Sequence, residues 1–346
     1  MLANVLKSTS QNIKAFACRH HATILTYHGV SPGSLPFPMW TQMSRERFEQ
    51  HMSWLASNYN CVNVTTLLAQ HASGTIAPRT VCVTFDDGFL NNYTTALPIQ
   101  KKYNIPSTLF VAAGYVGSNR LIWPDRLASI IATQSGKLIV TFGGASHYVG
   151  TPTDCAKTYR SLVTSLKKLH PDAIDSELLR FADENEVDIA TLHNVPWFDV
   201  FRIADWYHLK EMCNSGLVEI GSHTINHTIV SRLTIDEASR EITESRKMLE
   251  SNIDVVPYFA YPNGGVSDFS NEHRDIAIGA GYRAVLTSIA GTFTKNSDPF
   301  HIHRIGVGAD TAVSELDYTL RIGAAYSGGT SVTRLAVGLV SGTIDR

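Results

Sequence analysis

The chain has 346 residues, of which 44% are hydrophobic and 17% are charged. Soluble proteins average about 25% charged residues, so this chain is poor in charge, whereas disordered chains are polar and strongly charged. Its formal net charge is −2, without the surplus of cations that displaces phosphate counterions in nucleic-acid binders. These values exclude nucleic acid as a partner and favour a globular protein that acts on an uncharged or weakly charged ligand.

Signals for membrane insertion and export are weak in this sequence. No apolar run reaches the ~18 residues that cross a bilayer, so no transmembrane segment is expected. The N-terminal residues carry cations, but their apolar stretches fall short of the about 7–15 residues of a secretory signal. A cytoplasmic location is therefore the default expectation.

Short apolar runs alternate with longer segments of helical period along the chain. This alternation indicates a mostly parallel sheet flanked by helices, either closed into a barrel or open and doubly wound. The predicted strands cover residues 23–28, 81–85, 107–112, 218–221, 258–261, 283–287 and 300–305. The predicted helices cover residues 45–59, 92–103, 205–215, 235–252 and 271–280.

The alternation stops between the third and fourth predicted strands. Residues 118–204 are too many for a simple crossover, and they contain two helical segments over 154–170 and 172–184. We interpret them as an insertion that emerges at the C-terminal face of the sheet. The expected organisation is an N-terminal arm over 1–21, a main domain over 22–310, and a C-terminal helix and tail over 311–346.

The strongest local feature is a strand that ends in two carboxylates. Asp86 and Asp87 follow an apolar run, and Gly88 permits a tight turn directly after them. Barrel and doubly wound folds place their sites at such carboxyl ends. Successive strand side chains point to opposite faces, so the two aspartates converge only if the backbone bends. The alternative is structural, with Asp87 capping the helix that begins near Asn91.

A second strand end carries His223 and His227, four residues apart. On one helical turn both imidazoles would face the same way, which is the spacing of two histidines that bind one metal. Hydrogen bonds to backbone carbonyls at a strand–helix junction are the alternative. Because the other strand end carries two aspartates, we favour a metal site.

Two further strand ends are less specific. Asn263 begins a turn whose free backbone N–H groups could stabilise an oxyanion, although an ordinary Asn-Gly turn is the alternative. His28 ends the first predicted strand, so it occupies the same relative position as the aspartates. A lone histidine is most often structural, but this position favours a role in the site.

These motifs together resemble the polysaccharide deacetylases, also called the NodB-homology or carbohydrate esterase family four domain. Residues 84–88 (TFDDG) match its first motif, and residues 223–227 (HTINH) match its second, H-[ST]-x-x-H. Residues 259–264 (FAYPNG) are similar to its third motif, and residues 25–28 (LTYH) resemble the branch that acts on extracellular polysaccharides. The resemblance covers roughly residues 22–117 and 205–307 and leaves the insertion unmatched.

The resemblance implies a distorted (β/α) barrel of seven or eight mostly parallel strands, with the insertion after the third. It implies a hydrolase that removes N-acetyl groups from N-acetylated sugars or a polysaccharide. One divalent metal ion would assist, with zinc expected first and nickel, cobalt or iron as alternatives. Asp87, His223 and His227 would be its ligands, and Asp86 would be the general base.

The same resemblance gives roles to the remaining strand ends. The Asn263 N–H would support the oxyanion, and Tyr261 and Pro262 of the third motif would contact the substrate. His28 is our candidate for the general acid that protonates the leaving amine. His303 is the competing candidate, because it stands where the family commonly has a late Leu-x-His, although the leucine is missing here.

This sequence also departs from the family pattern. The third motif commonly has an arginine that pairs with the base and later a tyrosine, whereas this chain has Ala260 and Asn263. Arg304 is a candidate for the missing charge. Ala260 keeps a non-catalytic glycan-binding relative open as an alternative, beside a hydrolase of other non-peptide amides on the same barrel. In the insertion, Trp123 and Trp197 could offer flat surfaces to sugar rings, or they could be buried.

Overall fold

The computed structural model describes residues 21–323. All of the predicted N-terminal arm except His21, and the end of the C-terminal tail, lie outside the described residues. The strands are β1 His21–Tyr27, β2 Gly29–Ser31, β3 Gln42–Ser44, β4 Asn60–Val62, β5 Thr80–Phe85, β6 Ser107–Val111, β7 Ile139–Phe142, β8 Ala145–Tyr148, β9 Val218–Ser222, β10 Tyr258–Ala260, β11 Ala284–Leu286, β12 Phe293–Thr294 and β13 Ile305–Gly306.

Nine of the described strands form one curled sheet. Its main path of seven strands runs β11–β10–β9–β6–β5–β1–β12, with β13 beside β1 and β4 beside β5. Neighbouring strands are parallel except for β1 and β12. The central strands β1 and β5 are buried along nearly their whole length, as expected for a parallel sheet covered on both faces. The predicted mostly parallel barrel is confirmed.

The segment between β12 and β13 connects the two ends of the curled sheet. Ile302 forms a parallel bridge with Leu286 of β11, and a few residues later Ile305 pairs with Leu25 of β1. The bridge is supported by the Thr287 N–H, which donates to the Ile302 carbonyl at 2.8 Å. This late segment therefore contacts both edges and draws the sheet into a barrel.

Helices cover the outside of the sheet. The long helix Ile235–Glu250 begins at a capping box formed by Thr234 and Glu237, which satisfies two backbone donors that have no partner inside the helix. The helices are α1 Arg45–Asn58, α2 Val64–Ala72, α3 Leu97–Tyr103, α4 Trp123–Thr133, α5 Pro152–Leu166, α6 Pro171–Glu184, α7 Phe198–Phe201, α8 Trp206–Asn214, α9 Ile235–Glu250, α10 Asn271–Gly279 and α11 Val313–Gly323. None of the helices in residues 21–323 has the length and apolar character needed to cross a bilayer.

Two predicted elements differ from those observed. The strand expected over 300–305 is reduced to one bridge and β13, because Asp298 accepts from the Phe300 N–H and the chain turns there. The helix expected over 92–103 begins as a π-helical turn over Asn92–Ala96, and α3 starts only at Leu97. Pro98 has no N–H to donate, so a continuous α-helical ladder cannot run through this point.

The insertion folds around an apolar cluster that also includes Phe37 and Met39 from the loop between β2 and β3. It comprises α4, the antiparallel hairpin β7–β8, and α5 to α7. Its last residues return along the loop that follows β5: Ile203 bridges Phe89, and the Ala204 N–H donates to the Gly88 carbonyl at 2.9 Å. The insertion is therefore attached at the C-terminal face of the strands, directly beside Asp86 and Asp87.

Gly88 gives a test of how tightly this loop is packed. Its φ is +91°, and an added Cβ would lie 2.9 Å from the Val111 Cγ1 atom. Gly74 also has a positive φ, of +67°, but a Cβ there would meet nothing within 4 Å. Gly74→Ala should cost about 1–2 kcal/mol from the backbone alone. Gly88→Ala should cost a further ~1–3 kcal/mol from crowding. Urea unfolding of both variants measures the difference. Equal losses in the free energy of unfolding would show that crowding against Val111 adds no cost.

Candidate active site

The two adjacent aspartates converge because the backbone bends between them. β5 ends at Phe85 in register with Tyr27 of β1, and the Asp86 N–H still donates to the Tyr27 carbonyl at 3.0 Å. Asp87 then has a φ of +75° and Gly88 a φ of +91°. A left-handed aspartate is uncommon, and such conformations cluster at functional sites. The bend that the sequence required is present, and both carboxylates are buried.

His223 and His227 come together on a loop instead of a helix. The prediction that both imidazoles face one way holds, with ring centroids 5.2 Å apart, but the reason given for it was wrong. The residues after β9 form an irregular loop in which Thr224 and His227 have φ values of +64° and +54°. Two left-handed residues thus produce the proximity that a helical turn was expected to give.

The loop is held by a buried carboxylate that the sequence analysis missed. Glu241 accepts from the backbone N–H groups of Ile225 and Asn226 at 2.8 and 2.9 Å, and from Asn226 Nδ2 at 2.7 Å. A signal was available in the sequence. Glu241 lies among Ala238 and Ile242 on the inward face of α9, and a charged residue on an apolar stripe rarely stays buried without partners.

Asp87, His223 and His227 form a group that fits a divalent metal. The Asp87 Oδ1 atom lies 3.0 Å from His227 Nε2 and 3.6 Å from His223 Nε2, and it is buried without a well-formed hydrogen bond to any described residue. The ligand atoms of the three side chains lie within 4.8 Å of one another. One carboxylate and two imidazoles suit zinc and similar ions, and they leave coordination positions open.

The ionisation of these groups also suits a metal. Burial lowers the pKa of His223 to about 4, so its imidazole is neutral at pH 7. Its Nδ1 lies 2.7 Å from the Ala260 carbonyl, and donation there leaves the Nε2 lone pair free. Burial opposes ionisation of Asp87, but attraction to His227, His28 and His223 outweighs it and lowers the pKa of the carboxyl.

Arg304 supplies the charge that Ala260 lacks. Its side chain is fully buried, with Nη1 2.7 Å from Asp86 Oδ1 and Nη2 2.9 Å from Asp86 Oδ2. The Nε atom donates to the Thr287 carbonyl at 2.8 Å. Burial alone would raise the pKa of Asp86, but Arg304, together with His223 and His28, lowers it. The fork geometry of guanidinium and carboxylate therefore holds Asp86 as an anion.

His28 and His303 occupy different faces of the site. His28 interacts electrostatically with both Asp86 and Asp87, and its Nδ1 is buried without a hydrogen-bond partner among residues 21–323. His303 precedes Arg304, and neighbouring side chains of an extended segment point in opposite directions. Its ring accordingly packs edge-on against that of His301, with 5.2 Å between the ring centroids, and burial lowers its pKa. The arrangement favours His28 as the group beside the carboxylates.

The third motif forms a braced turn at the rim. Asn263 has a φ of +62° and is exposed, and no acceptor for its N–H is found within residues 21–323. Its side chain accepts from Lys167 Nζ of the insertion at 2.5 Å and donates to Asp268 Oδ2 at 2.5 Å. Tyr261 and Pro262 are buried, and the Tyr261 ring lies parallel to Phe269 at 4.4 Å. Their contact with substrate stays a prediction.

The two tryptophans of the insertion pack against apolar side chains. Trp123 is 7% exposed, and Trp197 packs partly buried against the same apolar cluster. Their proposed stacking against sugar rings stays a prediction.

Comparison with known proteins gives the site its context. The family model for polysaccharide deacetylases matches residues 73–285. The chain belongs to the polysaccharide deacetylase family. It is therefore a hydrolase of the polysaccharide deacetylase type. YxkH of Bacillus subtilis, named for the same family, is 22% identical over 292 residues, which are 82% of this chain and 70% of that protein. The poly-β-1,6-N-acetyl-D-glucosamine N-deacetylase of Staphylococcus aureus is 36% identical over 76 residues, 22% of this chain and 26% of that enzyme.

Solved structures of deacetylases share the fold. The deacetylase PplD of Streptococcus pyogenes, in complex with acetate, superposes with a TM-score of 0.57 at 16% identity, over 87% of this chain and 99% of that one. IcaB of Ammonifex degensii superposes with a TM-score of 0.55 at 20% identity, over 89% of this chain and 98% of that one. The family's barrel is therefore retained in spite of low sequence identity.

The burial of the Arg304–Asp86 pair predicts a large effect of removing one partner. Arg304→Met should lower the free energy of unfolding by about 3–5 kcal/mol, because it leaves an uncompensated buried carboxylate. Adding Asp86→Asn should restore part of the loss. The control is the exposed pair Arg321–Asp317, 2.6 Å apart, where Arg321→Met should cost less than about 1 kcal/mol. Similar losses at the two sites, measured by urea unfolding, would contradict the expectation.

Proposed function

We propose that this protein is a metal-dependent N-deacetylase of an N-acetylated glycan, with zinc as the expected ion. The observation that carries the proposal is the juxtaposition of a buried Asp87 oxygen, which has no well-formed hydrogen bond, with two imidazole Nε2 atoms, beside a second carboxylate held by Arg304. The named activity of the staphylococcal relative supports poly-N-acetylglucosamine as the substrate class. A bound divalent ion would act as a Lewis acid on the acetyl carbonyl and make water a better nucleophile near neutral pH.

Asp86 is the general base in this proposal. The Arg304 guanidinium occupies both of its oxygens in the plane of the fork, and a carboxylate keeps further lone pairs for the proton of an attacking water. Since the pKa of Asp86 is lowered, the group is ionised and ready to accept that proton at neutral pH. Arg304, which directly precedes β13, supports a catalytic protein over a non-catalytic relative, because it supplies the charge that is missing at Ala260.

Asn263 and His28 complete the proposed reaction. The Asn263 N–H donates to the oxygen that becomes negative as the acetamide carbonyl is attacked. His28, which interacts with both carboxylates, gives a proton to the amine nitrogen as its bond to the acetyl carbon breaks. Acetate and a free sugar amine are the products.

The first test separates metal binding from proton transfer. His223→Ala, His227→Ala and Asp87→Ala each remove one of three ligands, so they should lose most of the bound metal. Asp86→Asn should keep the metal and bind glycan, yet lose roughly 10²–10⁴ in turnover. Metal analysis and acetate release across a panel of N-acetylated glycans measure both, with the exposed Asp275→Asn as control. One equivalent of tightly bound metal in all three ligand variants would overturn the triad.

The second test identifies the acid. His28→Ala should reduce turnover by about 10²–10⁴, because the leaving amine then lacks a positioned proton donor. His303→Ala should stay close to the parent protein, since its ring points away from the face that carries Arg304. Acetate release from the best substrate of the panel gives the measurement. If His28→Ala changed turnover little and His303→Ala abolished most of it, the general acid would instead be His303, in the segment between β12 and β13.

A further inference from the structure

The insertion brings a carboxyl group close to the metal triad. Asp125 lies in the first turn of α4. The residue just before this helix, Ile122, packs with Phe89 and Ala112, and Phe89 follows Asp87 by two positions. The start of α4 therefore rests on the loops at the ends of β5 and β6, at the face that carries the site.

Asp125 is buried without the partners that such a group needs for stability. Its side chain is 2% exposed, and its Oδ2 atom has no hydrogen-bond partner among the described residues. Although it lies in the first turn of a helix, it makes no capping hydrogen bond there. Buried polar atoms are nearly always paired, and leaving one unpaired destabilises the folded protein. The fold therefore bears a cost at Asp125 that packing does not explain.

The carboxyl of Asp125 interacts electrostatically with Asp87 and with a tyrosine of the same insertion. Asp125 and Asp87 repel each other, and this repulsion adds to burial in raising the pKa of Asp125 well above its usual range. The Tyr159 hydroxyl interacts with both of these carboxyls, and its pKa is also raised by burial and by their charges. Asp87, Asp125 and Tyr159 thus border one region, with two of the three side chains coming from the insertion.

We propose that Asp125, with Tyr159 beside it, is a subsite of the insertion that hydrogen-bonds a ring hydroxyl of the glycan held at the metal triad. This inference rests on the function proposed above. A hydroxyl both donates and accepts, so it can satisfy the unpaired oxygen whether Asp125 is ionised or protonated. An uncharged ligand also suits this region, because burial and a neighbouring carboxylate both disfavour further negative charge there. Tyrosine adds a flat apolar ring with a polar tip, which suits the surface of a sugar.

The test compares a sugar substrate with one that lacks sugar hydroxyls. Acetate release is measured on an oligosaccharide of N-acetylglucosamine and on an aryl acetate ester. Asp125→Ala should raise KM for the oligosaccharide about tenfold with kcat little changed, as the loss of one hydrogen bond in binding would. Its metal content and its rate on the ester should match the parent protein. Asp125→Asn, which keeps the shape and the hydrogen-bonding groups, should restore most of the affinity.

A matched control and a binding measurement keep the outcomes separate. Asp172→Ala removes an aspartate from the first turn of α6 whose side chain is 94% exposed, so it should leave both substrates unaffected. An unchanged KM in Asp125→Ala, or equal losses on the oligosaccharide and the ester, would overturn the subsite.

Calorimetric titration of the oligosaccharide provides a readout independent of turnover, with a Kd about tenfold weaker expected in Asp125→Ala. If the parent protein binds the oligosaccharide but releases no acetate from any glycan, the proposed function fails while this titration still decides the subsite. Absence of binding to the parent protein would overturn the subsite as well.

Discussion

The buried pair of Arg304 and Asp86 is the contact on which both the barrel and its chemistry depend. Moving two charges out of water costs several kcal/mol each, and only good geometry with further hydrogen bonds offsets that cost. Here the guanidinium meets both carboxylate oxygens and also donates to the Thr287 carbonyl. Because Arg304 lies between Ile302, which bridges β11, and Ile305, which pairs with β1, the segment that closes the barrel also brings a positive charge to Asp86. Shape and ionisation of the site are therefore set by one interaction.

The loops that follow the strands of the site share one backbone feature, a residue in the left-handed conformation. Asp87, Thr224, His227 and Asn263 all have positive φ values, a conformation that costs a residue other than glycine roughly 1–3 kcal/mol. Each of them lies just beyond a buried parallel strand, where the sheet fixes the chain on one side only. The rigid strands thus support the strain, and the bent loops turn consecutive side chains toward one point instead of to opposite faces.

The sequence predicted six of the seven strands on the main path of the sheet, and the strand ends that carry Asp87, His223 and His227, because burial and turn residues leave local patterns. It did not predict how His223 and His227 meet, since a spacing of four residues is helical in period but is produced here by two left-handed residues. The pairing of Arg304 with Asp86 spans 218 positions, and no local period reports such a contact. Glu241 lay within a correctly predicted helix, but its role depends on a loop that only the tertiary structure places beside it.

The attachment of the insertion has a consequence for how such proteins can be recombined. Its returning residues hydrogen-bond to the Gly88 carbonyl and to the Leu90 N–H, and Lys167 at the end of α5 reaches Asn263 on the far side of the site. An exchange of this segment between relatives would carry along two of the contacts that brace the loops of Asp87 and Asn263. A grafted insertion would therefore need to reproduce both sets of contacts before its effect on substrate specificity could be measured. The segment is thus a structural part of the barrel.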